Sequence, residues 1–294
     1  MLPIEIDVAA LPAAPLSPEA PIGVFDSGVG GLSVLRHIRT QLPQEHLMYF
    51  ADAGFAPYGE KAERAVLARA LAIADFLVRR GAKALVVACN TATVAAIKIL
   101  RDHYPALTIV GVEPGLKPAA ALTRNGKVGV LATDGTLAGE KFLRLREQIG
   151  GASDAEFLLQ GCAGLADRIE QGELDSAATI AMLERYIAPL LDQGVDTLVL
   201  GCTHYPFVQD AIEAIVKRLG TQPVLLVDTG AAVARQLARR LEAAGLLRQQ
   251  SGAPQLRGYT SAGAGALANA FHTLLGLQPR VMEVPVLDSC ENNG

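Results

Sequence analysis

Cysteine is scarce in this chain. Cys89, Cys162, Cys202 and Cys290 are too few to staple a protein of 294 residues with disulfides, and no two stand at the spacing of a zinc site or a C-x-x-C redox pair. Reduced thiols and no metal are therefore the expectation. Basic clusters are lacking as well. Lys and Arg number 26 against 30 Asp and Glu, a formal net charge of −4, and no run of them offers a track for a phosphate backbone, so nucleic acid is not an expected partner. Long apolar runs are absent too. The longest stretch without a charged residue, Gly258 to Pro279, is broken by Gly, Asn, His, Thr and Gln and would cross a bilayer poorly. The first twenty residues, rich in Pro and Ala, carry Glu5, Asp7 and Glu19 and no basic residue, the wrong charge pattern for a secretory signal or transit peptide. These absences together point to a soluble, cytoplasmic protein without membrane partner, behind a flexible leader over residues 1–21.

What is present is the pattern of an α/β protein with mainly parallel strands: short β-branched runs alternating with longer amphipathic segments. Strands are expected at Ile22 to Phe25, Leu47 to Phe50, Ala84 to Ala88, Thr108 to Val112, Lys127 to Leu131, Thr197 to Leu200, Val224 to Val227 and Leu256 to Tyr259. Helical patterns between them include Lys61 to Arg80, Ala177 to Leu191 and Phe207 to Leu219.

The chain also echoes itself. RGAKALVVACNTA from Arg80 and QGVDTLVLGCTHY from Gln193 share one order: a helix-ending Gly, a buried strand, a Cys, then polar residues opening a helix. IGVFDSGVGGL from Ile22 and VGVLATDGTLAGE from Val128 form a second pair, each a strand, a hydroxyl- and Gly-rich turn and a helix start. Two matched pairs in the same order suggest two related halves. Ligands of open α/β sheets bind beyond the carboxyl ends of the strands, and the polar clusters of both pairs fall there.

Each candidate has a structural reading beside the functional one. A lone Cys after a strand is usually an inert buried residue. Cys89 and Cys202 are each followed by polar, helix-opening residues (Asn90 and Thr91, Thr203 and His204), so a helix dipole is expected to lower both thiol pKa values, and the duplication favours function. Two opposed thiols suit inversion of a stereocentre, which needs a base on one face and an acid on the other. A thiol, with an ordinary pKa near ~8.5, can serve as either. Asp26 and Ser27 are either turn and capping residues or catalytic support. The neighbouring Gly28, Gly30 and Gly31 match neither phosphate-loop spacing. His204 is either a satisfied structural histidine or a tuner of Cys202. Thr133 and Thr136 are cappers or carboxylate binders, with capping favoured. A tight turn accounts for Pro57 and Gly59 and leaves Tyr58 to line a pocket. Cys162 and Cys290, without an echo, are read as structural or incidental.

At this point the motifs GVFDSGVGGL, ADAGFAPYG, ACNTAT, GTLAGEKF and GCTHYP, in this order, resemble the glutamate racemases of the aspartate/glutamate racemase superfamily from about Ile22 to at least Val227. The resemblance implies two similar α/β domains with mainly parallel sheets flanked by helices, related by a pseudo-twofold axis, with the active site in the cleft between them. Residues 22–116 and 228–294 would form the first domain and 117–227 the second. It further implies reversible racemisation of glutamate without any cofactor, D-glutamate feeding peptidoglycan synthesis, and a homodimer. Cys89 would take the α-proton of D-glutamate and Cys202 that of L-glutamate, helped by Asp26 and His204 respectively. Asp26, Ser27, Pro57, Tyr58, Gly59, Asn90, Thr91, Thr133, Thr136 and Thr203 fall where the family holds substrate. The sequence departs from the family in GCAGLADRIEQGE, which lacks a Pro after Cys162; there Glu170 is the match for a family Glu. Phe207 stands where Leu is commoner after HYP.

Rival readings are a relative acting on aspartate or another small acid, a binding protein that has lost turnover, and a thiol redox protein. Intact paired cysteines count against the second, and the missing C-x-x-C partner counts against the third.

Overall fold

The computed structural model describes residues 16–249 and 252–284; Cys290 and most of the leader lie outside them. Four strand–helix units come first: β1 (Ile22–Asp26) and α1 (Leu32–Gln41), β2 (Leu47–Ala51) and α2 (Glu63–Arg79), β3 (Ala84–Val87) and α3 (Asn90–His103), then β4 (Thr108–Gly111) and α4 (Leu116–Leu122). The second set follows: β5 (Lys127–Ala132) with α5 (Asp134–Ala138) and α6 (Glu140–Ala152), β6 (Glu156–Gly161) with α7 (Leu165–Glu170) and α8 (Ala177–Asp192), β7 (Thr197–Leu200) with α9 (Gln209–Leu219), and β8 (Leu225–Val227). α10 (Gly230–Ala243) then packs on α1 and leads to β9 (Leu256–Thr260), α11 (Ala264–Leu275) and β10 (Arg280–Glu283).

Every strand pairs in parallel. The first sheet runs β10-β9-β2-β1-β3-β4 and the second β6-β5-β7-β8. Counted within each set of four, the order 2-1-3-4 occurs twice, so the sequence echo is a topological one. Helices on both faces explain why β1, β2, β3 and β7 are buried along their whole length and read as continuous apolar runs. One apolar cluster fills each face of each sheet. Phe207 packs against clusters of both sheets.

The helix-ending glycines of the echo act alike. Gly81 after α2 and Gly194 after α8 have φ of +85° and +80°, the left-handed conformation that closes a helix and turns the chain into β3 and β7. Between the sheets the chain crosses twice, and the crossings touch: a Cβ on Gly115 would lie 3.0 Å from side-chain atoms of both Thr229 and Val227.

Four expectations need correction. Residues 16–21, assigned to a flexible leader, are tied to the body: the buried Lys83 ammonium donates to the Pro18 carbonyl, Lys83 N–H donates to Pro21, and Arg248 pairs with Glu19 at 2.8 Å. A buried cation needs such acceptors. β6 and β10 have no counterpart among the expected strands. Both are sheet-edge strands whose half-exposed residues blur the apolar pattern. The helix expected from Phe207 starts at Gln209, after a 3-10 turn over Tyr205–Val208.

Candidate active site

The carboxyl ends of β1, β3, β5 and β7 converge on one cavity. Cys89 and Cys202 both line it, together with Ser27, Asn90, Thr203 and His204. Pro57, Tyr58 and Gly59 form one wall, and Thr91, Thr133 and Thr136 another. Glu170 also lines it. Asp26 is wholly buried just behind. The sequence reading missed Ala56, Ala166 and Asp167. Ala166 and Asp167 lie four and three residues before Glu170 on α7, so helical spacing from Glu170 could have found them.

Around Cys89 the geometry follows from the strand-to-helix turn. Cys89 is the N-cap of α3, with extended backbone, and its sulfur accepts the Ala92 N–H at 3.5 Å. The expected dipole effect is overruled. Burial, and then the Asp26 carboxylate, push the Cys89 thiol well above its ordinary pKa, against the smaller effect of that N–H. Asp26 accepts hydrogen bonds from the Ser27 N–H at 2.6 Å and from the Ser27 hydroxyl at 3.2 Å through one oxygen, and from the Gly31 N–H and the Thr203 hydroxyl through the other. Burial raises the pKa of Asp26, with His204 opposing. Cys89 therefore rests as a thiol.

The Cys202 side is different. No α-helix starts there, since α9 begins seven residues on, so its thiol lacks the dipole expected of it. It has an imidazole instead. His204 Nδ1 lies 3.5 Å from Cys202 Sγ, and Nε2 lies 2.6 Å from Glu170 Oε1. Burial pulls the His204 pKa down, but Cys202 and Glu170 together raise it well above the ordinary value. Burial pushes Glu170 up, and its bonds to His204 and the Val29 and Gly30 N–H groups more than offset this, leaving its pKa lowered. The His204 imidazolium is thus held between the Glu170 carboxylate and the Cys202 sulfur.

The remaining side chains fall into two kinds. Thr133 caps α5 by accepting the Thr136 N–H at 3.2 Å, and the Thr91, Thr133 and Thr136 hydroxyls gather within 3.4 Å of one another across the cleft. Tyr58 turns its hydroxyl away to Asp52, 2.6 Å distant, so it offers the cavity its ring. Asp52 is in turn held by Arg69 and by the Ser261 hydroxyl. Asn90 stands apart: both polar atoms of its side chain are buried and without a hydrogen-bond partner. In a folded core such a group is costly unless a ligand completes it.

Among the described residues, no group of three or more His, Cys, Asp or Glu side chains could hold a metal ion, and no helix is long and apolar enough to cross a membrane.

Two parallel α/β halves each present a strand-end cysteine to one shared cleft, and the chain belongs to the Asp/Glu/Hydantoin racemase family, whose model residues 22–237 match. More particularly, it is 51% identical over 268 residues to a glutamate racemase of Pseudomonas paraeruginosa, covering 91% of this chain and 98% of that one. Among solved structures, a glutamate racemase isoform from Bacillus anthracis superposes with a TM-score of 0.82 at 31% identity, covering 92% of this chain and 98% of the other. The glutamate racemase of Francisella tularensis in complex with D-glutamate gives a TM-score of 0.79 at 26% identity over the same shares.

Proposed function

We propose that the chain interconverts L- and D-glutamate by a two-cysteine, two-base mechanism that needs no cofactor. The observation that carries this reading is the convergence of Cys89 and Cys202, from topologically equivalent strands, on one cavity. Their unlike surroundings assign resting roles. Cys202, beside the imidazolium of His204, removes the α-proton of L-glutamate. Cys89, kept protonated by burial and Asp26, delivers a proton to the opposite face. After turnover the roles are exchanged, and the enzyme is then set for D-glutamate.

The hard step is ionising a weakly acidic Cα–H bond. N–H groups and hydroxyls fixed at the strand ends can stabilise the developing charge without reorganising. Asn90 and the threonine hydroxyls supply the polar contacts for the α-carboxylate and amine. The Asn90 amide gains in substrate the partners it lacks in the protein.

The relatives' names and the D-glutamate bound by the Francisella enzyme support glutamate as the substrate rather than aspartate. The division into domains of residues 22–116 with 228–294, and 117–227, belongs to the same proposal, as do a homodimer, a cytoplasmic location and D-glutamate supply to peptidoglycan. Circular dichroism of purified protein with L-glutamate, L-aspartate and no added cofactor tests the activity. Loss of glutamate rotation is expected. A stable glutamate signal, or full activity in Cys89→Ser or Cys202→Ser, overturns the reading.

A further inference from the structure

The glycine-rich turn after β1 matches no phosphate loop, and the mechanism above leaves its spacing unexplained. Its neighbours explain it. A Cβ on Gly28 would stand 1.8 Å from Glu170 Oε1, and one on Gly30 would stand 2.5 Å from His204 Nδ1 and 2.7 Å from Thr203 Oγ1. The turn is shaped against the acid–base group of the opposite half. One residue into α1, Ser33 is buried, and its hydroxyl donates to the Thr203 carbonyl at 2.8 Å, 170 residues away in sequence. A Ser near a helix start commonly caps it. Ser33 does not, since α1 has no side-chain cap, and its hydroxyl is spent across the cleft.

Thr203 lies between Cys202 and His204, so the bond that fixes its carbonyl fixes the backbone carrying both. We propose that Ser33, with the glycine seat of Gly28 and Gly30, is a positioning residue for the Cys202–His204 limb: the first half of the molecule sets the reach of the second half's base. Ser33 does not line the cavity and acts only through Thr203. The proposal rests on the two-cysteine reading.

Its signature is an asymmetry between enantiomers. In deuterated solvent, Cys89 in its deprotonated form can ionise D-glutamate whether or not Cys202 is well placed, whereas L-glutamate is ionised by Cys202 itself. In Ser33→Ala, conversion is expected to fall about tenfold, the effect of losing one buried hydrogen bond to the group that aims the base. Deuterium should still enter recovered D-glutamate at nearly the unsubstituted rate. With L-glutamate, exchange and conversion should fall together. Ser33→Thr, which keeps the hydroxyl, should restore conversion, and thermal unfolding of both variants separates misfolding from misplacement. Equal losses of exchange with both enantiomers, unchanged conversion, or failure of Ser33→Thr to rescue while folded would each overturn the proposal. Cys202→Ser in the same assay is the reference: if it lacks the asymmetry, the two-cysteine reading fails, and if it shows the asymmetry while Ser33→Ala does not, only the Ser33 proposal fails.

Discussion

His204 Nε2 lies 2.6 Å from Glu170 Oε1, and this contact gives the two sulfurs of the site different chemistry. With Glu170 beside it, His204 stays an imidazolium against Cys202. Among the described residues no imidazolium faces Cys89, whose neighbour is the Asp26 carboxylate.

Replacing Glu170 by Gln keeps a hydrogen-bond acceptor and removes the charge. The pKa of His204, raised in part by that charge, then falls, so the imidazolium is lost at lower pH. The alkaline limb of kcat/KM for L-glutamate is expected to move to lower pH. A pH profile in which the limb stays where it was would dissociate Glu170 from the base.

The same pair shapes stability. The raised imidazolium contributes fully below its unfolded pKa of about 6.5 and is lost as pH rises through its folded value. The lowered carboxylate contributes above its unfolded pKa of about 4.3 and is lost as pH falls through its folded value. The stabilisation from the pair is therefore complete only between those two limits. Urea unfolding of Glu170→Gln against the unsubstituted protein should show the largest difference inside that window.

Asn90→Ala removes an amide whose polar atoms have no partner in the folded protein. Folding stability is expected to hold or rise, while KM for glutamate rises about tenfold through loss of a substrate contact. A fall in thermal stability with KM unchanged would make Asn90 a structural residue.

Far from the cavity, at the opposite end of β3, Lys83 and Glu45 form a buried ion pair with N–O distance 2.5 Å. Lys83→Met strands the Glu45 charge and is expected to cost about 3–5 kcal/mol, whereas adding Glu45→Gln recovers most of it. Denaturant midpoints of the single and double variants check this. Equal losses in both would mean that packing, not charge, is at stake.

Much of this was legible in the chain because local patterns encode it. Continuous apolar runs mark strands covered on both faces, and Gly81 and Gly194 mark helix ends by the conformation only glycine takes readily. Cys89 and Cys202 were legible through duplication of their surroundings. The electrostatics were not. A helix start next to Cys89 was readable, but not the burial and the Asp26 carboxylate that override it, nor the 3-10 turn that denies Cys202 a helix dipole. Ser33 escaped for a related reason. Its role depends on a partner brought near by the fold, and no periodicity within α1 reports what lies across a cleft.

The adjoining crossovers at Gly115 and Thr229 tie the halves along one margin, while contacts such as Ser33 to Thr203 and Val29 to Glu170 span the cleft itself. Cys89 and Cys202 are only 5% and 8% exposed, so the bonds that span the cleft also close it over both sulfurs. The bonds that aim the base thus also seal the chamber in which it works, and a sealed chamber strengthens every charge interaction inside it.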